Sequence, residues 1–310
     1  MLKHLLLAGA ALGLAAGAAP AAAKDLGSIG ITLGSLGNPF FVALSRGAED
    51  EARKINPNVK VNTASADYDL NKQFTQIDNF IASGVDLILL NAADAKAIAP
   101  AVKRARAAGI VVVAVDVAAA GADATVQTNN VQAGAIACQF IVDRLSGKGL
   151  VIIQNSNQVS AVVDRVDGCR SALAKAPEIK VLSDDQNGQG SREGGLAVMQ
   201  GHLTRFPHVD AVFTINDPQA IGSDLAAKQL GRSEFFITSV DGAPDIETAL
   251  EGNTLIQASA SQDPYRMAQI AVETGYRIMN GEKPADPMIL MEPKLITRDN
   301  VGGYKGWSAH

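Results

Sequence analysis

From residue 28 onward, short aliphatic runs alternate with stretches whose apolar residues recur at helical spacing. In the first half the runs are residues 29–33, 59–64, 86–91, 110–116 and 124–128. Most are continuously apolar rather than alternating, the pattern of parallel strands buried on both faces. Between them, Phe41, Leu44, Ala48, Ala52 and Ile55 fall on one helical face. Leu70, Phe74, Ile77, Phe80 and Ile81 do the same, with Gly84 placed to stop that helix. The β-α-β-α succession predicts a parallel sheet with helices on both faces.

The second half repeats the pattern, with strand-like runs at 150–154, 181–184, 211–216, 235–241 and 255–261. The halves overlay at two chemically matched positions. Asn91 and Asn216 each end a strand and lie 125 positions apart; Asp116 and Asp241 each end the next strand at the same offset. Each asparagine is expected to lead into a helix, and that helix into the strand ending in the aspartate. This predicts two lobes of one design. Open parallel sheets bind ligands beyond the carboxyl ends of their strands. If the lobes face each other, the four side chains converge on one cleft, as in a two-lobed α/β binding protein.

The 310 residues suffice for two domains of about 100–150 each. A formal net charge of -5 without a basic run argues against nucleic acid or anionic membrane as a main partner. Residues 1–23 differ from the rest. Lys3 and His4 open the chain, residues 5–19 are apolar and uncharged, and Pro20 precedes Ala21, Ala22 and Ala23. This reads as a secretory signal peptide cleaved after Ala23. Its apolar run is short of the ~20 residues of a membrane span. The exported chain then meets an oxidising compartment. Cys138 and Cys169 lie in predicted helices; they form a disulfide if those helices pack side by side, and two buried thiols otherwise. The histidines at 4, 202, 208 and 310 stand at no predicted strand end beside a nucleophile. Gly188, Gln189 and Gly190 lack the strand-to-helix setting of a dinucleotide loop. No catalytic residue, metal or cofactor is expected.

The segment Gly37-Asn38-Pro39-Phe40-Phe41 after the first strand resembles the opening of ribose-type periplasmic sugar-binding proteins of ABC importers. Leu90-Asn91, Val115-Asp116, Thr128-Asn129-Asn130, Asp164-Arg165, Ile215-Asn216-Asp217, Val240-Asp241-Gly242 and Gln262-Asp263-Pro264 match the same family in order. The resemblance implies two Rossmann-like lobes joined by a three-segment hinge, with crossings near residues 128, 262 and 291. The N-terminal lobe would be 24–128 plus 263–291, and the C-terminal lobe 129–262 plus 292–310. It further implies a periplasmic monomer that closes on a monosaccharide or polyol and delivers it to an ABC permease. The alternative role is a sensor presenting a small solute to a chemoreceptor or sensor kinase. A regulator's effector lobes share this fold, but the signal peptide occupies the place of their DNA-binding helices.

A sugar offers hydroxyls that donate and accept, and apolar C–H faces. Asp116 and Asp241 would accept from hydroxyls. Asn38, Asn91, Asn130, Asn216 and Gln262 can donate and accept at once. Arg165 supplies a fork of donors, and Phe40 and Phe41 would press on the C–H face. Asn38 before Pro39 is also an ordinary helix cap, and the phenylalanines could be core. Three positions depart from the ribose-type pattern: Val117 stands where it has a second arginine, Val240 replaces an aromatic, and Gly190 or a neighbour stands where another pocket aromatic is expected. The expected pocket is therefore roomier and less charged, for a sugar or polyol other than ribose as readily as for ribose.

Overall fold

The computed structural model describes residues 24–307, so the signal peptide expected over residues 1–23 lies outside the described residues. The chain runs β1 (Ser28–Leu33), α1 (Pro39–Ile55), β2 (Lys60–Ser65), α2 (Leu70–Ala82), β3 (Leu87–Leu90), α3 (Ala99–Ala107), β4 (Val111–Val115) and β5 (Ala124–Thr128). It continues through α4 (Asn130–Arg144), β6 (Lys148–Gln154), α5 (Ser160–Leu173), β7 (Glu178–Ser183), α6 (Arg192–Arg205), β8 (Ala211–Thr214), α7 (Asp217–Leu230), β9 (Phe236–Asp241), α8 (Pro244–Glu251) and β10 (Ile256–Ser261). It ends with α9 (Pro264–Met279), β11 (Met288–Met291), β12 (Leu295–Thr297) and a 3-10 turn at Val301–Gly303.

Two six-stranded sheets result, ordered β11-β5-β4-β3-β1-β2 and β12-β10-β9-β8-β6-β7. The orders are equivalent, so the repeat read from the 125-residue offset is a repeat of topology. In each sheet the order reverses between the first and third strands of its set, which opens a crevice at their carboxyl ends. The flat apolar runs are buried as their pattern requires: Leu87–Leu90 is buried at every position. On α1, Phe41, Leu44, Ala48 and Ala52 are buried against the first sheet. Gly84 ends the α2 segment at φ +63°, where a side chain would strain the backbone.

The expected parallel arrangement has one departure. The sheets are parallel except for β12, which runs antiparallel to β10. The reason is geometric. β11 leaves the first sheet at the carboxyl ends of its strands, and only residues 292–294 separate it from β12. So short a link enters the second sheet at its own carboxyl edge, and the strand must run away from the cleft; a parallel neighbour would need a crossover of a dozen or more residues. Both strands escaped the sequence reading because they are only four and three residues long and half-exposed, too short for a period to show.

The chain passes between sheets after Thr128, around Gln262 and over residues 292–294. α9 follows a strand of the second sheet yet packs on α1, where Gly47 lets the Tyr265 carbonyl approach; a Cβ there would lie 2.2 Å from it. The α4–α5 pair is equally tight. A Cβ on Gly134 would lie 1.9 Å from the Arg165 carbonyl oxygen, and one on Gly168 would lie 2.0 Å from that of Val131. This approach brings Cys138 and Cys169 to a Cα separation of 5.0 Å, and they are joined in a disulfide.

Candidate functional site

Asp116 follows the last residue of β4, and Asp241 is the last of β9. Both have positive φ, +67° and +141°. At Asp116 the Val117 N–H donates to the Val115 carbonyl at 2.8 Å, closing a three-residue turn. Such backbone costs of order 1–3 kcal/mol at a non-glycine residue and persists where the surroundings over-determine it. Here it turns one carboxylate from each sheet into the cleft.

The surroundings are specific. Asn91 Nδ2 donates to Asp116 Oδ2 at 2.8 Å. Gln262 Nε2 donates to Asp241 Oδ1 at 2.7 Å, and Thr128 Oγ1 donates to Gln262 Oε1 at 2.7 Å, so two chain crossings are tied to one aspartate. Arg165, 4% exposed, bonds Asp241, and its charge also acts on Asp116. Its Nε donates to Asn130 Oδ1 at 2.8 Å, and its Nη1 to the Ile215 carbonyl at 2.9 Å and to Asp241 Oδ1 at 3.3 Å. Asn130 is fixed in turn by its Nδ2, which donates to the Thr128 carbonyl at 3.0 Å. Among the described residues, Asp116 Oδ1 and Arg165 Nη2 have no protein hydrogen-bond partner.

Phe40 and Phe41 line the same chamber from the start of α1, and both are also part of the core beneath it. The sequence reading missed Tyr68. It stands in the turn between β2 and α2, with Asp67 and Tyr68 at φ +52° and +60°, and its ring meets Phe41 edge-on at 6.4 Å. Tyr68 gives the chamber an aromatic that the expectation of a roomier pocket did not count. Val117 lines the chamber, Val240 is buried in the core, and Tyr68 borders the chamber from the first lobe. The chamber is about 50 Å³; a cavity of about 420 Å³ adjoins it across Asn38, Tyr68 and Gly190. Tyr68 was legible only by position, just beyond the carboxyl end of a strand.

Asn38 and Asn216 border the chamber as helix caps. Asn38 Oδ1 accepts from the Phe40 N–H at 2.9 Å. Asn216 Oδ1 accepts from the Gln219 N–H at 3.1 Å, and its Nδ2 donates to the Gly190 carbonyl at 3.0 Å. Asn216 thus has both polar ends engaged, unlike its counterpart Asn91, which points one donor at its lobe's aspartate. Asp217, beside it, is buried and accepts from Ser239 Oγ at 2.5 Å, Ser259 Oγ at 2.7 Å and the Ala243 N–H at 2.8 Å. It holds down the loop that follows Asp241.

Burial pushes Asp116 up to about 6; Arg165 pulls it back and the charge of Asp241 adds to the rise. Burial also pushes Asp241 up to about 6, against the Arg165 charge and the Gln262 hydrogen bond. Asp217 is raised by burial and by Asp241. Burial, with both carboxylates in front of it, raises the Tyr68 hydroxyl as well. Two poised acceptors, one guanidinium fork and an aromatic wall suit a polyhydroxylated ligand. The arrangement pairs no nucleophile with a base.

Residues 29–283 match the model of a family described as Periplasmic binding protein domain. Ribose import binding protein RbsB of Escherichia coli (strain K12) is 34% identical over 269 residues, covering 86% of this chain and 88% of that protein. Xylitol-binding protein of Mycolicibacterium smegmatis is 31% identical over 285 residues, covering 91% of this chain and 80% of that protein. The fold alone is shared with an ABC transporter solute binding protein from Bacillus halodurans C-125 solved with myo-inositol, at a TM-score of 0.84 and 22% identity, covering 94% of this chain and 100% of that one.

Proposed function

The chain belongs to the periplasmic binding protein domain family, of binding proteins rather than enzymes, and from that premise we propose that it captures a monosaccharide or polyol in the periplasm and delivers it to an ABC permease. The observation that carries this reading is the pair Asp116 and Asp241, one carboxylate from each sheet, lining one chamber with Arg165. A ligand hydroxyl donating to each would bridge the lobes. Hydrogen bonds to charged groups are worth about 1.5–3 kcal/mol net. Three or four of them cover the ~8 kcal/mol of a micromolar ligand before the costs of closure. Asn38, Phe40, Phe41, Asn91 and Tyr68 would contact the ligand from the first lobe; Asn130, Arg165, Asn216 and Gln262 would contact or orient it from the second lobe and the crossings. Two carboxylates favour a neutral ligand over an anion.

In this reading the lobes are 24–128 plus 263–291 and 129–262 plus 292–310, and the three crossings form a hinge. Closure is driven by the ligand's preference for the closed arrangement. The test is a thermal-shift screen of the chain from Lys24 onward against pentoses, hexoses, polyols, sugar acids and amino acids. A neutral polyhydroxylated compound should raise the melting temperature by mass action. Asp116→Ala and Asp241→Ala should each weaken its binding at least about tenfold. Unchanged affinity in both variants removes the site assignment, and turnover of any compound removes the binding-protein reading.

A further inference from the structure

The C-terminal tail approaches the site from behind, in a place that no sequence motif singled out. Trp307, the chain's one tryptophan, is buried. Its Nε1 donates to two backbone carbonyls, Asp241 at 3.2 Å and Gln262 at 3.1 Å. Its ring packs edge-on against Phe40 of the first lobe, with centroids 5.7 Å apart. Three residues earlier, Tyr304 donates its hydroxyl to the Gly242 carbonyl at 3.0 Å. Gly242 has φ +70°, and a Cβ there would meet that hydroxyl at 2.6 Å. The peptide carrying the strained Asp241 is therefore held on two sides: Asp217 anchors the loop after it, and the tail fastens its carbonyls.

We propose that Trp307 is a positioning residue that couples the Asp241 strand end to the Phe40 wall of the opposite lobe, so that the tail helps to set both the aim of the Asp241 carboxylate and the approach of the lobes. The indole N–H fixes the carbonyls of two neighbouring strand ends, Asp241 and Gln262, the second of which leads into a hinge crossing. The ring face transmits that position to α1, whose first residues border the ligand chamber. The first task goes beyond tail packing, which would need only an apolar ring. The consequence for ligand affinity rests on the binding reading above; the coupling of the lobes does not.

The first test needs no ligand. Lys60 on β2 and Lys180 on β7 are exposed and lie on the sheet edges farthest from the crossings, so their separation grows as the lobes part. With Lys60→Cys and Lys180→Cys carrying nitroxide labels, pulsed electron resonance reads that separation. Trp307→Phe keeps a ring against Phe40 and removes the N–H. It should move the distribution to longer distances, with Tyr304→Phe moving it less. An unchanged distribution in Trp307→Phe overturns the coupling. The second test measures D-ribose and xylitol by calorimetry. Whichever binds the parent chain should bind Trp307→Phe at least about tenfold more weakly, the size expected for losing one shared buried donor. Unchanged affinity with a lowered melting temperature makes Trp307 a packing residue only and overturns the proposal. Binding of neither compound counts against them as ligands, and the distance measurement still decides the coupling.

Discussion

Lowering the pH should weaken ligand binding while it steadies the ligand-free fold. Asp116 and Asp241 both stand near 6, raised chiefly by burial. In their ligand-free state they are largely ionised at pH 8 and largely protonated at pH 5. Ligand hydroxyls donating to both would hold them ionised in the complex, so binding below pH 6 must expel protons. At pH 5 a group near 6 is ionised only about one time in ten, so each site costs about tenfold in affinity and the pair about a hundredfold, roughly 3 kcal/mol. The sign for stability is opposite. A carboxyl raised above its unfolded value of 3.8 binds its proton more tightly in the folded chain. Its contribution is fully present below about 4 and is lost as the pH rises through about 6.

Titration calorimetry with the ligand from the screen, at half-unit steps from pH 8 to 5, reads the first effect. Repeating it in buffers of different ionisation enthalpy counts the protons released. Asp116→Asn, which keeps the shape and removes the charge, should lose about half of the pH slope. Comparing its melting temperature with that of the parent chain across pH 7 to 5 reads the second effect, because groups that do not feel the Asp116 charge cancel in the difference. An affinity that stays within threefold from pH 8 to 5 would refute the reasoning, since the site would then not depend on ionised carboxylates.

Three further outcomes follow from the packing. Replacing Cys138 and Cys169 together by Ser should cost roughly 3–4 kcal/mol, as expected for a closed loop of 31 residues, seen as a fall in denaturation midpoint. Gly134→Ala puts a methyl group against the Arg165 carbonyl and should lower both stability and ligand affinity, whereas Gly201→Ala on α6, where a Cβ meets nothing within 4 Å, should leave affinity unchanged and stabilise by about 0.5–1 kcal/mol. Tyr68→Ala should weaken ligand binding by removing the ring that borders the chamber, while Tyr68→Phe, measured in the same calorimeter, should retain most of the affinity.

Much of this fold was legible because its central strands are buried on both faces, which leaves short apolar runs between segments of helical period. The two aspartates were legible because strand ends in open parallel sheets are the places where side chains meet ligands. The residues that escaped notice share a different property: their positions depend on contacts far away in sequence. Tyr68 reaches the site from a turn with two consecutive left-handed residues, which no apolar period announces. Trp307 sits in a segment without regular structure, and what makes it matter is the pair of carbonyls at 241 and 262.

The matched asparagines show how far a repeat can be trusted. Asn91 and Asn216 occupy equivalent places in two sheets of equivalent order, yet only Asn91 bonds its lobe's aspartate. The difference lies in what comes next along the chain. After Asn216 the helix begins at once, with Asp217 at its start and Pro218 behind it, and the unsatisfied Gln219 N–H of that helix end claims the Asn216 side-chain Oδ1 as a cap. After Asn91 the expected helix is delayed to Ala99, the intervening loop makes no such demand, and the amide is left to turn toward Asp116. In the second lobe the vacated role passes to Gln262 and Arg165, both of which bond Asp241. Proline two residues after an asparagine was therefore the sign that separated them. The same reasoning that read Asn38 before Pro39 as a cap reads Asn216 as one, and a symmetric site could only have been expected by setting that chemistry aside.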